Sequence, residues 1–336
     1  MLACYLVKPG VIELREVPVP EPSKGEVLIK IKAALTCGTD LKAFLRGHPM
    51  IPMPGVFGHE FSGIISEIGK GVMDFKTGDK IMAVHSAPCL KCSYCREKLY
   101  NLCENIMQTK VLGAFAEYLL LPAHIVKQNL FHKPDDLSYE EAAFLEPLSC
   151  VIHGMQGLNI KPGNKVLVVG AGPIGLLHIL VARLKGAHVV ITARKKERLN
   201  FASDLGAYAV ETSELTNAIG EHTGGMGFDF VFECTGQLDV WEDAVSYVRR
   251  GGTVVLFGGV KGGTTVSYDT YRLHYDEITL KGVFHFTPRD VKAAYTLLND
   301  KIDISPLISG SYSLKDLPLA LKLLEKGEGI KFAIIP

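Results

Sequence analysis

Four cysteines, Cys89, Cys92, Cys95 and Cys103, stand in the spacing C-x2-C-x2-C-x7-C. Half of the chain's eight cysteines thus fall within fifteen residues, a density that chance rarely produces. Four thiolates close a tetrahedral shell around zinc and leave no position for substrate. The spacing therefore predicts a structural zinc that staples a loop. Disulfides or a redox C-x-x-C are the competing readings. Residues 1–10 are strand-like rather than a secretory leader, so the expected setting is the reducing cytoplasm, where disulfides are rare.

A second group of residues points to a nucleotide. Gly170-Ala171-Gly172-Pro173-Ile174-Gly175 follows an apolar run and opens a stretch of helical periodicity. That context is what a dinucleotide-binding turn requires. Gly170 allows the tight turn, Gly172 lets a pyrophosphate approach the backbone, and Gly175 lets helix and strand pack closely. Pro173 and Ile174 open the helix whose N-terminus faces the phosphates. An NAD site usually places an acid about 20 residues beyond the glycines. Here that stretch reads Ala193-Arg194-Lys195-Lys196-Glu197-Arg198, a small residue followed by three cations. Arg194, with Lys195 and Arg198 beside it, suits a 2′-phosphate, so NADP is predicted over NAD. The competing reading is that the cations, Lys196 and Arg198 above all, are the solvated start of a helix.

Cys37, His59 and Glu60 form an N/S/O set that a catalytic zinc accepts with one position open. His59 and Glu60 are neighbours in sequence, so both meet one metal only from a loop or a strand end, which Gly58 permits. Spacing alone leaves the reading divided between this set and three unrelated residues: a small buried Cys, a surface His and a surface Glu.

The elements that must position these residues divide near residue 150. Before it the chain is β-rich. Residues 27–32 and 63–68 alternate like half-buried strands, separated by Pro- and Gly-rich turns, which suggests a partly closed barrel. Beyond it, apolar runs at 165–169, 188–192, 228–232 and 253–257 alternate with helical stretches at 174–185 and 196–205. That pattern implies a doubly wound parallel sheet. Amphipathic helices at 290–298 and 317–325 and a strand at 331–335 form a tail expected to return to the first domain. With 36 basic and 36 acidic residues, no field for nucleic acid or an anionic membrane is implied. No apolar run is long enough to span a bilayer.

Taken in order, Cys37-Gly38-Thr39-Asp40, Gly58-His59-Glu60-Phe61-Ser62-Gly63, the cysteine quartet, Phe144-Leu145-Glu146-Pro147-Leu148-Ser149 and the glycine loop resemble the medium-chain zinc-dependent alcohol dehydrogenases, in the sorbitol and threonine (polyol) dehydrogenase branch. The resemblance spans essentially the whole chain. It implies an α/β protein with a GroES-like β-barrel catalytic domain over residues 1–148, completed by 285–336, and a Rossmann domain over 149–284. It implies a zinc-dependent, NAD(P)-linked oxidoreductase with two Zn2+ per chain. One zinc would be held by Cys37, His59 and Glu60, with Glu146 binding that metal or its water. The other would be held by Cys89, Cys92, Cys95 and Cys103. Thr39 matches the hydroxyl that touches the substrate oxygen, and Asp40 a supporting residue beside the metal. Cys4, Cys150 and Cys234 match no ligand position and read as small buried residues. A homodimer or homotetramer and a small polyol or ketose substrate are further implications.

Two departures bear on specificity. Lys42 stands where the branch commonly carries His, which argues against threonine. Val283-Phe284-His285-Phe286 stands where sorbitol dehydrogenases carry an Arg-Tyr pair, which argues against sorbitol itself and leaves His285 as either a pocket or a packing residue. Beyond Thr39 the proton acceptor is open among Lys42, His48 and solvent. Rival readings are a zinc-free quinone reductase, which the intact ligand set opposes, a zinc-ribbon binding module, which the balanced charge and glycine loop oppose, and a catalytically inert cofactor sensor.

Overall fold

The computed structural model describes residues 1–300 and 302–336. They fall into two compact units, residues 1–150 with 286–336, and residues 151–285. No helix among them is long and apolar enough to cross a membrane.

The first unit is built on a seven-stranded sheet. Its central strand Val27–Leu35 pairs antiparallel with Glu60–Ile68, with Tyr118–Leu121 and, at its far end, with Lys331–Ile335. The C-terminal strand therefore lies in the first sheet. A three-stranded sheet of Leu2–Lys8, Val11–Glu16 and Gly55–Val56 stands beside it. Phe57, Phe61, Phe115, Ile29 and Ile65 fill the core, and Leu317, Leu321 and Phe332 join it from the tail. That burial, at about 25 cal/mol per Å² of apolar surface, is what holds the distant tail in register.

The second unit is a six-stranded, all-parallel sheet. In chain order its strands are Lys165–Val169, His188–Ala193, Tyr208–Glu211, Phe228–Glu233, Val248–Leu256 and Thr279–Gly282, arranged in space as 3-2-1-4-5-6. This is the Rossmann order. The four inner strands are the apolar runs visible in the sequence, whereas the edge strands Tyr208–Glu211 and Thr279–Gly282, with no fully buried residue, carry no such run. One strand begins five residues earlier than its apolar run. Gly251-Gly252 lies within Val248–Leu256, where Gly251 at φ 67° accompanies a shift of register against the neighbouring strand.

His178 is buried in this unit's core, on the helix Pro173–Leu184. Its ring lies 4.6 Å from that of Phe232 and 4.9 Å from that of Phe257, and Nδ1 meets the Ile174 carbonyl at 2.9 Å. Burial pushes its pKa down to about 4. The unfolded chain then binds a proton that the native state refuses. The stability His178 contributes is full above about pH 6.5 and is lost between there and pH 4, by about 3 kcal/mol. A His178→Phe variant is expected to show a correspondingly shallower loss of stability in denaturant titrations run from pH 7 to pH 4. An unchanged acid limb would show that His178 is not the group protonated.

Candidate active site

Strand pairing assembles the first cluster. Leu35 is paired with Glu60, Glu60 with Val84, and Ala333 with Leu35. Residues just beyond these strand ends therefore meet: Thr36 and Cys37, His59 and Glu60, His85, and Lys331. Successive strand side chains point to opposite faces, so His59 must leave the strand to join Glu60. It does so in the turn after Gly58, whose φ is 88° and where a Cβ would stand 2.7 Å from the Phe115 ring. Cys37 caps the helix Gly38–Arg46, its sulfur accepting the Thr39 backbone N–H at 3.5 Å.

One ligand atom each from Cys37, His59 and Glu60 lie within 4.8 Å of one another. Their chemistry fits a zinc ion. His59 Nδ1 is 3.4 Å from Asp40 Oδ1, which leaves Nε2 as the nitrogen to offer a metal. Asp40 is fully buried. Glu60 gives Oε2 to the Lys331 ammonium, while its buried Oε1 has no hydrogen-bond partner among the described residues. Burial alone would depress the His59 pKa, but Asp40 and Cys37 hold it well above the ordinary value. Burial raises the Glu60 pKa against the opposing pull of Lys331 and His59. Such a dense set of donors and anions is what a divalent cation compensates.

Glu146 lies on the helix Leu145–Gly154 and is buried near the three, though outside their 4.8 Å group. Burial raises its pKa to about 7, against His59, with Glu60 adding to the rise. Its Oε1 is 3.5 Å from His85 Nδ1 and 3.8 Å from Cys150 Sγ. The His85 ring stands 5.2 Å from that of His59 and 5.9 Å from that of Phe286. Sequence reasoning missed His85, Lys331 and Phe286. Each reaches the cluster only through strand register or the return of the tail. The one available signal was a lone lysine opening the apolar closing strand Lys331–Ile335. Phe286, at the start of the returning tail, is the residue of that stretch that belongs to the first unit, and its ring meets His85. Cys4 is buried as expected, but Cys150 and Cys234 are only half-buried.

The quartet is also assembled. The sulfurs of Cys89, Cys92, Cys95 and Cys103 lie within 4.8 Å of one another, and no cysteine is in a disulfide. Cys92 Sγ and Cys103 Sγ are 3.9 Å apart. A tetrahedron with Zn–S bonds near 2.3 Å has edges of about 3.8 Å, so the spacing fits. The backbone N–H of Lys91 leads in lowering the Cys89 pKa to about 6, while burial raises that of Cys95 to about 12. Left-handed backbone at Leu90 and Lys98 shapes this loop.

In the second unit the glycine loop behaves as its spacing demands. Gly170 has φ 108°, a Cβ on Gly175 would strike the Gly170 carbonyl, and a Cβ on Gly172 would meet nothing within 4 Å. The helix Pro173–Leu184 starts there with no side-chain cap, leaving its first N–H groups to a ligand. A cavity of about 480 Å³ adjoins the loop. Ala193, Arg194, Lys195 and Arg198 line it together with Gly170 and Gly172. Arg198 is half-buried there, so the solvated-helix reading fails for it and holds for exposed Lys196. Thr235, Gln237, Asp239 and Asp243 complete the wall, and none of these was singled out from sequence.

Residues 23–134 match the family model described as the alcohol dehydrogenase GroES-like domain, and residues 173–300 that of the zinc-binding dehydrogenases. The chain is 32% identical to a sorbitol dehydrogenase of Halalkalibacterium halodurans, over 97% of its own length and 96% of that protein. A zinc-binding dehydrogenase of Sinorhizobium meliloti solved with NADP is similar across 100% of this chain and 99% of its own, at 32% identity and TM-score 0.89. Galactitol-1-phosphate dehydrogenase from Escherichia coli is similar across 100% of both chains, at 26% identity and TM-score 0.88.

Proposed function

This chain belongs to the zinc-dependent medium-chain alcohol dehydrogenases, in the polyol dehydrogenase branch, and from that premise we propose that it moves hydride between NADP(H) and a secondary alcohol or ketone of a small polyol, sugar or sugar phosphate. As an oxidoreductase of this family it uses zinc and a nicotinamide cofactor. The observation that carries the reading is the convergence of Cys37, His59 and Glu60 within 4.8 Å, with Asp40 and Lys331 holding the histidine and the carboxylate.

Cys37, His59 and Glu60 hold the catalytic metal in this proposal, with Glu146 at the fourth position or on its water. Cys89, Cys92, Cys95 and Cys103 hold a second zinc that braces their loop. A bound zinc supplies Lewis acidity toward the substrate oxygen, and the nicotinamide gives or takes the hydride. Thr39, in the first turn of the helix capped by Cys37, hydrogen-bonds the substrate oxygen and carries its proton outward. Asp40 keeps the His59 ring in one orientation. Lys331 opposes, through its charge and hydrogen bond, the rise that burial gives the Glu60 pKa.

The cofactor is NADP in this reading, because no carboxylate ends the strand His188–Ala193, and Arg194, Lys195 and Arg198 line the cavity beside it. With NADPH as the partner, ketone reduction is the working direction. Arg194→Ala is expected to raise the KM for NADPH about tenfold to a hundredfold, the loss of one charge-assisted contact. The KM for NADH should change by less than about threefold, since NADH has no 2′-phosphate to lose. Wild-type enzyme that uses NADH as well as NADPH would refute the assignment. A homodimer or homotetramer follows if the open edge strand Thr279–Gly282 pairs with a second copy, and exposed Tyr271 and Tyr275 lie on the helix just before it.

A further inference from the structure

The helix Gly38–Arg46 carries Thr39 in its first turn. Residues three and seven further on fall on nearly the same face of a helix, about 4.5 and 10.5 Å along its axis. Those residues are Lys42 and Arg46. The chain then turns at Gly47, with φ 81°, and His48 closes a short bridge with Ile51. Lys110 crosses to this turn and donates to the Met50 carbonyl at 2.5 Å. It also lines a cavity of about 460 Å³ together with Pro49, Met50, Met107 and Gln108.

Basic groups thus come to this turn from the helix that leads into it, from the turn itself and, through the Lys110 bond to Met50, from the residue-110 segment. His48 registers them: burial lowers its pKa first, then Lys42, Lys110 and Arg46 in succession, against a weaker pull from Asp40. Among the described residues no carboxylate is ion-paired with Lys42, Arg46 or Lys110. Elsewhere in the same molecule cations are neutralised: Lys80 by Asp135, Arg249 by Asp229, and both Arg250 and Arg272 by Asp276. The chain has no net charge, so this concentration is local. Like charges gathered without a counter-charge repel one another, and an anion with several acceptor oxygens relieves that repulsion.

We propose that Lys42, Arg46 and Lys110, with His48 between them, form a phosphate subsite beside Thr39, and that the substrate is a phosphorylated polyol or ketose. The inference rests on the hydride-transfer reading above and adds to it the class of substrate. A phosphate dianion presents three acceptor oxygens to donors that arrive from the helix, the turn and the residue-110 segment. The reacting hydroxyl or carbonyl, a few bonds away, would then lie at the Thr39 end of the helix.

The test uses the zinc-loaded enzyme with NADPH and compares ketose phosphates, the corresponding free ketoses and a keto-aldonate. Wild type is expected to favour the phosphates in kcat/KM by at least about tenfold, expressed mainly in KM, because the charged contacts bind substrate without taking part in hydride transfer. In Arg46→Gln/Lys110→Gln that preference should collapse toward unity. Inorganic phosphate should compete with the ketose phosphate. Preference for the free ketose or for the keto-aldonate, or an equal loss on all substrates in the variant, would overturn the subsite. If no ketose of any kind is turned over, the hydride-transfer reading has failed instead. The subsite is then judged by calorimetric titration of sorbitol 6-phosphate: binding that weakens in the double variant upholds it, and no binding to wild type overturns it.

Discussion

Cys37→Ala is expected to remove one zinc per chain and to lower kcat by about a thousandfold or more, since metal assistance to the reacting oxygen is worth several kcal/mol. The cysteine is the only thiolate donor of its cluster and caps the helix that carries Thr39, so its loss disturbs both metal and hydroxyl. The contrasting variant is Cys92→Ser. Its sulfur belongs to the other group, whose ligands bring no histidine and no carboxylate. It should lose the other zinc and melt earlier, because structural zinc contributes directly to folding. Its residual folded fraction should keep the cluster around His59. Metal analysis and turnover on both variants check the assignment. A Cys37→Ala enzyme with full turnover would show that the catalytic metal lies elsewhere, or that none is used.

Lys331→Met is expected to destabilise the protein by roughly 3–5 kcal/mol, the usual cost of stripping one partner from a buried ion pair. Lys331 is 1% exposed and donates to Glu60 and, at 2.9 Å, to the Thr36 carbonyl. Removing it leaves a buried carboxylate and a buried carbonyl without their donor. Adding Glu60→Gln to the variant should recover much of the loss, since the stranded charge is then gone. Denaturant titrations of the two single variants and the double close the cycle. A loss below about 1 kcal/mol in Lys331→Met would mean that another cation balances Glu60, and would argue that the metal does so.

How much of this was legible in the sequence follows from how local each feature is. The cysteine quartet occupies fifteen consecutive residues and the glycine loop six, so spacing alone specifies their chemistry. The four inner parallel strands announce themselves as apolar runs because both their faces are covered, while the half-exposed edge strands Tyr208–Glu211 and Thr279–Gly282 do not. The Cys37, His59 and Glu60 set is different. Residues 22 and 23 positions beyond Cys37 become neighbours only because Leu35 pairs with Glu60, and spacing left that reading divided. His85 enters one strand further on, through the pairing of Glu60 with Val84. Lys331 enters from the far end of the chain, through Ala333 and Leu35. A side chain whose role depends on register across some 270 residues leaves no pattern in the sequence around it. Arg198 is half-buried while neighbouring Lys196 is exposed, a difference between two cations of one helix that sequence alone does not display.

The most direct test of the account is zinc content per chain, measured on the same sample in which NADPH oxidation is followed with a panel of ketoses and ketose phosphates. Two zincs per chain with NADPH-dependent turnover is the result expected of Cys37, His59 and Glu60 acting beside a separate cysteine site. One zinc and no turnover with any member of the panel would contradict it, leaving the quartet as the only metal site and the cluster beneath Lys331 without the catalytic role assigned to it here.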